Sequence, residues 1–233
     1  MDYEDVKMSL KLVYFKMRAL AEAPQMLMRC NGIEYDYVMA WEYFGDTWAN
    51  AKSQLVFNQL PMLEVDGRHQ ICQSIAILNF LEKKAGIHIE NPIEAAKADA
   101  ILQSSQELFS PLNPTINFAV GDDFVAKRDA MRPALSTRFQ QLQNCLLENS
   151  SKFFTDNTPR AADFSAFHHL DLSKQLDPML IKEFPRLEAF TAAMTELPKM
   201  ENYLKGRPEL IGVGESPQLM IDGIAHPTGV QQT

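Results

Sequence analysis

Residues 58–74 contain groups that could bind a small anionic peptide. Pro61 holds the residue before it in an extended conformation, so the backbone of Leu60 can pair with another extended chain. Further on, Gln73 and Ser74 open an apolar helical stretch, and the free N–H groups of a helix N-terminus favour a carboxylate. An extended backbone edge beside an anion-binding helix start therefore predicts a cradle for a small peptide.

A β-hairpin is predicted to position these groups. The apolar runs Met62–Val65 and His69–Cys72 flank Asp66-Gly67, a dipeptide that favours the positive φ angles of a tight turn. Upstream, residues 11–15 and 33–39 read as strands on either side of a helix over 19–29. A crossover requires parallel strands and a hairpin requires antiparallel ones. The fold class predicted for this half is thus α/β and thioredoxin-like, with a mixed four-stranded sheet and helices.

The second half is predicted to be all-α. After a linker at Asn91-Pro92, apolar residues recur at helical spacing, and prolines 111 and 114 are expected to break the first long helix. From Arg207 onward glycine and proline are scattered without periodicity. The predicted helices span 93–108, 133–148, 161–172, 185–197 and 199–205. The predicted units are an N-terminal extension (1–9), an α/β domain (10–87), a helical domain (92–206) and a tail (207–233).

Composition limits the classes of partner and of compartment. The net charge of −8 argues against broad binding to nucleic acid or anionic membranes. No apolar run approaches the length of a membrane span, and the acidic start is unlike a secretory signal. The three cysteines lack metal-ligand spacing and a C-x-x-C pair, which favours a reducing compartment, and we expect a cytoplasmic protein.

These features together resemble the cytosolic glutathione transferases. Residues 11–22, KLVYFKMRALAE, look like the sigma-like branch, which includes the glutathione-dependent prostaglandin D synthases. Trp48 with Lys52, Leu60-Pro61 and Gln73-Ser74 complete the set. The resemblance covers about residues 9–205, and it implies a homodimeric detoxification enzyme that needs glutathione as co-substrate and no metal.

The resemblance also implies a role for each matching residue. Tyr14 would donate a hydrogen bond to the glutathione sulfur, with Arg18 as a further catalytic candidate. Leu60, before a cis Pro61, would pair with the cysteinyl backbone, and a small apolar electrophile would lie between the domains. The remaining assignments are Gln59, Gln73 and Ser74 for the γ-glutamyl carboxylate, Trp48 and Lys52 for the glycine end, Glu107 for the γ-glutamyl amine of the second subunit, and Phe15, Met17, Pro114 and Ile116 for the acceptor pocket.

Two departures from the family pattern concern activation and helix capping. The second arginine of the pattern is Leu20 here, and the glycine before it is Ala19. The family's Ser/Thr-x-x-Asp helix start is replaced by Arg160-Ala161-Ala162-Asp163, which lacks the capping hydroxyl, so Asp163 is expected to serve the first turn.

Several functions stay open at this point. The same pocket residues suit conjugation or a glutathione-dependent prostaglandin-type isomerisation, and Leu20 favours a non-catalytic ligandin or crystallin-like protein. A thioredoxin-type oxidoreductase is disfavoured because no cysteine adjoins Tyr14. We do not expect His168-His169 to form a metal site, since adjacent helical residues point about 100° apart. One of these histidines is expected in the core and the other at the surface.

Overall fold

The computed structural model describes residues 8–148 and 150–230. Most of the extension predicted over residues 1–9, and the last three residues of the predicted tail, lie outside the described residues. The elements in chain order are β1 (Leu10–Tyr14), α1 (Glu22–Cys30), β2 (Asp36–Met39), α2 (Ala40–Phe44), α3 (Trp48–Ala51), β3 (Met62–Val65), β4 (His69–Cys72), α4 (Ser74–Lys84), α5 (Pro92–Gln106), α6 (Phe109–Phe118), α7 (Gly121–Leu147), α8 (Ala161–Ser173), α9 (Pro185–Thr195), α10 (Pro198–Gly206), β5 (Glu209–Ile211), β6 (Gln218–Ile221) and β7 (Ile224–Pro227).

The N-terminal half is built on the mixed four-stranded sheet that the sequence predicts. Its strand order is β2-β1-β3-β4, with β1 parallel to β2 and antiparallel to β3. At the hairpin turn Asp66 and Gly67 have φ angles of 55° and 67°, as a turn of this type requires. The predicted thioredoxin-like fold class is therefore confirmed for this half, and the all-helical class for most of the second half.

Helix α8 forms the centre of the helical layer, packing against α1, α4, α5, α6 and α9. Twelve of its 13 residues are buried. At its start Asp163 accepts hydrogen bonds from the backbone N–H groups of Arg160 (2.8 Å) and Phe154 (2.9 Å). The carboxylate thus satisfies the N–H that precedes the helix and fixes the preceding loop, while the Asp163 N–H, which a capping hydroxyl could have accepted, donates to the carbonyl oxygen of Arg160 at 2.9 Å.

The two histidines correct one of our expectations. His168 and His169 are both buried, with exposed fractions of 3% and 1%. Neither can reach the surface, because α8 is covered by other helices on every side. Burial lowers the pKa of His168 to about 3 and that of His169 well below its usual value, so both rings are neutral at physiological pH.

Two helix boundaries differ from the prediction. The break in the first long helix falls at residues 107–108, and Pro114 lies inside α6. Helix α7 begins at Gly121 and carries Pro133 in its interior. The first half of α7 was missed because it is charged and exposed, so it has no apolar stripe. An Asp123–Lys127 ion pair of 2.7 Å supports it instead.

The segment after Arg207 is the largest difference from the prediction. It forms a three-stranded antiparallel sheet of β5, β6 and β7, which we call the C-terminal meander (residues 209–230). The meander is joined to the α/β domain through a bridge between Lys16 and Gly229, and to the helical layer through a bridge between Val120 and Gly214. It therefore spans both halves of the molecule.

Two kinds of feature are absent from the described part of the chain, a membrane-spanning helix and a metal-binding cluster. None of its helices is both long enough and apolar enough to cross a membrane. Over the same residues, no three His, Cys, Asp or Glu side chains are grouped so that they could hold a metal ion.

Candidate active site

A cleft of about 410 Å³ lies between the sheet and the helical layer. It brings together most of the residues that the sequence assigns to a peptide site. None of the described residues that line it is an aspartate, glutamate, histidine, lysine or arginine, so no lining side chain is charged at neutral pH. The lining residues are Tyr14, Phe15, Met17, Leu20, Trp48, Asn58, Gln59, Leu60, Pro61, Gln73, Ser74, Phe109, Asn113, Phe118 and Val230. The cleft can therefore bind charged groups only through backbone groups, amides, hydroxyls and helix ends.

Tyr14 ends β1 at the floor of the cleft and is 3% exposed. Its hydroxyl oxygen accepts a hydrogen bond from the backbone N–H of Leu20 at 3.4 Å. Burial raises the pKa of Tyr14, and the Leu20 N–H only partly offsets this rise. The phenol therefore keeps its proton, and with its oxygen already accepting a bond, the O–H is left as a donor.

One end of the cleft is formed by the start of α4. Gln73 precedes this helix with a φ angle of +73°, and its side-chain amide donates to Gln59 Oε1 at 3.1 Å. Asn58, also in the cleft wall, has a φ of 52°. Left-handed backbone at residues other than glycine is strained and concentrates at binding sites. Here the two positions lie in the cleft wall beside the Gln59–Gln73 amide pair and the free N–H groups at the start of α4.

An aromatic pair and the Leu60–Pro61 segment also line the cleft. The Phe15 and Trp48 rings meet edge to face with centroids 5.3 Å apart. The Leu60–Pro61 peptide bond is cis, as the resemblance implies. Lys52 follows Trp48 by one helical turn on the exposed surface and does not line the cleft.

The far wall of the cleft includes residues that the sequence analysis missed. Phe109 and Asn113 lie one turn apart on α6, and Val230 is delivered by the C-terminal meander. Pro114 and Ile116 were predicted for the acceptor pocket, but neither lines the cleft, and Ile116 is fully buried in the core. The i, i+4 spacing of Phe109 and Asn113 could have identified this face of the helix.

The structure places two other candidates outside the cleft. Arg18 lines a different cavity, where its guanidinium donates to the carbonyl oxygen of Pro208. This second cavity has a volume of about 650 Å³ and shares only Phe15 and Met17 with the cleft, so Arg18 does not line the cleft that contains Tyr14. Glu107 pairs with Arg138 on the surface between α5 and α6, and it does not reach the cleft of its own chain.

Two family models match the chain. The model described as the glutathione S-transferase N-terminal domain matches residues 8–83, and the model of the glutathione S-transferase C-terminal domain matches residues 113–207. Neither match includes the C-terminal meander.

Several named proteins are similar over most of the chain. The probable glutathione S-transferase 6 of Caenorhabditis elegans is 30% identical, over 85% of this chain and 97% of that protein. The glutathione S-transferase of Dirofilaria immitis is 31% identical, over 86% and 94%. S-crystallin 2 of Enteroctopus dofleini is 27% identical, over 85% and 97%.

Solved structures of similar proteins share the fold. The Pi-class glutathione S-transferase of Onchocerca volvulus superimposes with a TM-score of 0.73 at 27% identity, covering 84% of this chain and 92% of that one. Na-GST-3 of Necator americanus, described as a monomeric glutathione S-transferase, gives a TM-score of 0.75 at 27% identity, covering 86% and 98%.

Proposed function

Because this chain belongs to the cytosolic glutathione transferase family and uses glutathione as co-substrate, we propose that its cleft binds glutathione with the sulfur at Tyr14. The extended backbone of Leu60 would pair with the cysteinyl unit. The amides of Gln59 and Gln73, with Ser74 at the start of α4, would hold the γ-glutamyl carboxylate. Trp48 would cover the glycine end, and Lys52 would reach its carboxylate from the rim.

The chemistry proposed for Tyr14 is stabilisation of the glutathione thiolate. The phenol O–H donates to the sulfur, which favours the ionised form because charge-assisted hydrogen bonds are stronger than neutral ones. The thiolate then attacks an electrophilic carbon: a C–S bond forms, and the leaving group departs with its electron pair. A thiol pKa lowered by two units corresponds to roughly 2.7 kcal/mol of preferential thiolate stabilisation.

One observation carries this proposal: the Tyr14 hydroxyl is buried at the cleft floor and accepts its hydrogen bond from Leu20 N–H. A phenol held in this way has its O–H available to donate to a ligand. In an uncharged cleft, no nearby cation or carboxylate competes for the sulfur among the described residues.

An ultraviolet difference titration of bound glutathione against pH tests the proposal. We expect a thiolate absorbance near neutral pH in the native protein, and its loss in Tyr14→Phe. Tyr35→Phe is the matched control, because it removes the same hydroxyl group from a half-buried tyrosine that bonds to Gln25 outside the cleft. Glutathione that binds as a thiol in the native protein and in Tyr14→Phe alike would contradict the mechanism.

A second candidate function is a non-catalytic binding protein. Two observations favour it: Leu20 stands where the family pattern has an arginine, and S-crystallins are among the similar proteins. Such a protein would retain glutathione in the cleft without turnover. Retention on immobilised glutathione, combined with no conjugation of 1-chloro-2,4-dinitrobenzene, would identify this function.

We also propose a homodimer of the sigma-like branch in the cytoplasm. Val56 and Phe57 are adjacent and are 84% and 55% exposed, which suits an apolar contact between subunits. Cys30, Cys72 and Cys145 are unpaired, as expected for a reducing compartment. Sedimentation equilibrium should give a dimer for the native protein and a monomer for Phe57→Glu. A native monomer, like the one reported for Na-GST-3, would exclude this assembly.

A further inference from the structure

The segment between β1 and α1, which we call the Tyr14 loop (residues 15–21), carries the group that orients the Tyr14 hydroxyl. That group is the backbone N–H of Leu20, which donates to the Tyr14 oxygen at 3.4 Å. The loop belongs to no helix or strand, so the repeating hydrogen bonds of regular structure do not fix it. Its position, and with it the position of the Leu20 N–H, is therefore set by the elements that bond to it.

Three carbonyl oxygens of the Tyr14 loop accept hydrogen bonds from three different elements. The donors are the Tyr37 hydroxyl of β2 to the Phe15 carbonyl at 2.7 Å, the Gly229 N–H of the C-terminal meander to the Lys16 carbonyl at 3.1 Å, and the Asn117 side-chain amide of α6 to the Arg18 carbonyl at 3.5 Å. Two of these three donors lie outside the α/β domain that contains the loop. The loop is thus held between the two halves of the molecule.

Asn117 of α6 bonds to the loop and to the meander at the same time. It is 2% exposed. Its backbone carbonyl accepts a short hydrogen bond of 2.6 Å from the Thr228 hydroxyl, whereas its side-chain bond to the Arg18 carbonyl is long, at 3.5 Å. Because shorter bonds of good geometry are the stronger ones, the Thr228 hydroxyl is the firmer of the two links at Asn117.

Thr228 also adjoins the residue through which the meander holds the loop. Gly229 follows it and donates to the Lys16 carbonyl. The Thr228 N–H donates to the Pro217 carbonyl at 3.0 Å, and its hydroxyl lies 3.2 Å from the same oxygen. A hydroxyl has one proton to donate, and the Asn117 carbonyl is the nearer acceptor. The hydroxyl therefore fixes the end of the meander on α6 beside its contact with the loop.

These links come from a part of the chain that the family models do not match. The matches end at residue 207, whereas Thr228 and Gly229 lie in the meander. The Arg18 side chain adds a further link of this kind, since its guanidinium donates to the Pro208 carbonyl. The described lining of the cleft contains no charged side chain, so stabilisation of a thiolate there depends on the direction of the Tyr14 O–H.

We propose that Thr228 is a positioning residue for Tyr14. Its hydroxyl holds the meander on α6, and the meander and α6 together hold the Tyr14 loop. The loop then presents the Leu20 N–H to the Tyr14 oxygen, which leaves the phenol proton for the sulfur. Thr228 does not line the cleft, so it acts through the loop. This inference rests on the function proposed for the cleft, but the position of the loop can be measured without glutathione.

Three variants of the full-length protein test the role of the hydroxyl. Thr228→Val removes the hydroxyl and keeps a branched side chain, and Thr228→Ser keeps the hydroxyl. Thr115→Val is the matched control, because the Thr115 hydroxyl also bonds to a carbonyl of α6, that of Pro111 at 3.0 Å, but lies within that helix. Circular dichroism establishes that each variant is folded under the conditions of the measurements.

The first measurement is amide hydrogen exchange by nuclear magnetic resonance on the ligand-free protein. Exchange of the Leu20 amide should be about fivefold faster in Thr228→Val, because a loop that has lost one hydrogen-bonded support opens more often. Thr228→Ser and Thr115→Val should match the native protein. Equal exchange in Thr228→Val and the native protein, or equally fast exchange in Thr115→Val, would overturn the proposal.

The second measurement is the ultraviolet titration of bound glutathione. Thr228→Val should raise the thiol pKa by about half a unit, or about threefold in the thiolate equilibrium, and Thr228→Ser should restore the native value. The kcat for conjugation should fall by about threefold at neutral pH, with KM for glutathione changed by less than about twofold. A merely structural role of Thr228 would lower stability without moving the thiol pKa.

The two measurements separate this inference from the function on which it rests. Faster exchange of the Leu20 amide in Thr228→Val with an unchanged thiol pKa would overturn the positioning role in catalysis. A native protein that binds glutathione as a thiol, while the Leu20 amide still responds to Thr228→Val, would contradict the function proposed for the cleft and support the control of the Tyr14 loop by Thr228.

Discussion

The cleft and the second cavity adjoin each other and share two residues, but they are built from opposite kinds of side chain. The cleft has amides, hydroxyls, aromatic rings and free backbone groups, and no ionisable acidic or basic side chain among its described lining residues. The cavity has five basic side chains and one acid. Binding in the cleft is therefore expected to depend on directed hydrogen bonds, whereas the cavity is distinguished by its local positive charge.

This difference follows from where the residues lie in the sequence. The cleft is drawn largely from two short segments, the end of β1 and residues 58–74, which carry local turn and capping signals. The cavity joins the loop after β1, α1 and β2, which follow one another in the chain, to α10 and β6, which come much later. Three of its five basic residues lie within 16–29, and only folding brings Lys199 and Arg207 to them.

The largest effect is expected at the cleft floor. Tyr14→Phe should lower kcat/KM for conjugation by about 10²–10³-fold, the usual cost of removing one preorganised donor. Tyr35→Phe, which alters a wall of the cavity, should stay within twofold of the native protein. Steady-state kinetics with 1-chloro-2,4-dinitrobenzene measure both. Equal losses in the two variants would mean that the cavity and the cleft are not functionally separate.

The second effect is on stability and concerns the buried ion-pair network in which Arg207 bonds to Glu22 and Asp171. Glu22→Gln should lower the free energy of unfolding by about 3 kcal/mol, because it leaves part of the Arg207 charge buried without a partner. Urea denaturation measures the change. Glu201→Gln removes an exposed i, i+4 pair with Lys205, and we expect no loss beyond experimental scatter. An equal loss of stability in Glu22→Gln and Glu201→Gln would show that burial of the Arg207 network does not add to its contribution to the free energy of unfolding.

The third effect is a pH dependence of the free energy of unfolding. It comes from His168, which is buried and is influenced by Arg207 and Asp171 of the same network. The pKa of His168 is lowered to about 3, mainly by burial and then by Arg207 and Arg18, with Asp171 opposing. An unfolded histidine titrates near pH 6.5, so on acidification the unfolded chain takes up protons first and stability falls.

The effect of His168 is isolated by a variant. Between pH 7 and pH 5 the native protein should lose about 2 kcal/mol more stability than His168→Leu. The comparison cancels the opposite contribution of Asp163, whose pKa burial raises to about 7. Parallel stability curves for the two proteins would show that His168 is not held neutral in the folded state.

The smallest effect is expected when a positively charged side chain is introduced into the cleft, and it is a shift in the thiol pKa of bound glutathione. Leu20→Arg would place a guanidinium beside Tyr14, and the thiol pKa of bound glutathione should fall by about one unit, or about 1.4 kcal/mol. Leu20→Met is the control of similar size without charge. The ultraviolet titration described for Tyr14 detects the shift. A pKa that does not move would show that the uncharged lining of the cleft does not limit activation.

The sequence was sufficient to predict the α/β half because its signals are local. Asp66-Gly67 with its flanking apolar runs gave the hairpin β3–β4 with its observed bounds. The meander contains the same signal, since Asp222-Gly223 separates Gln218–Ile221 from Ile224–Pro227 and has φ angles of 50° and 78°. It was missed because the surrounding glycines and prolines suggested an irregular tail.

Other misses had no local signal. The burial of both His168 and His169 depends on five helices packing around α8, which adjacent residues in a sequence do not reveal. The direction of the Arg18 side chain depends on Pro208, far along the chain. Contacts of this kind are set by tertiary packing, and a pattern of neighbouring residues contains no information about them.

The bridge between Lys16 and Gly229 has a consequence for how the protein is made. Tyr14 and its loop are translated before Val230, which completes the cleft wall and follows more than 200 residues later. The α/β domain can fold while synthesis continues. The cleft and the cavity are both left open on one side until the meander emerges from the ribosome, so a nascent chain that has already folded its first domain still has neither of them complete.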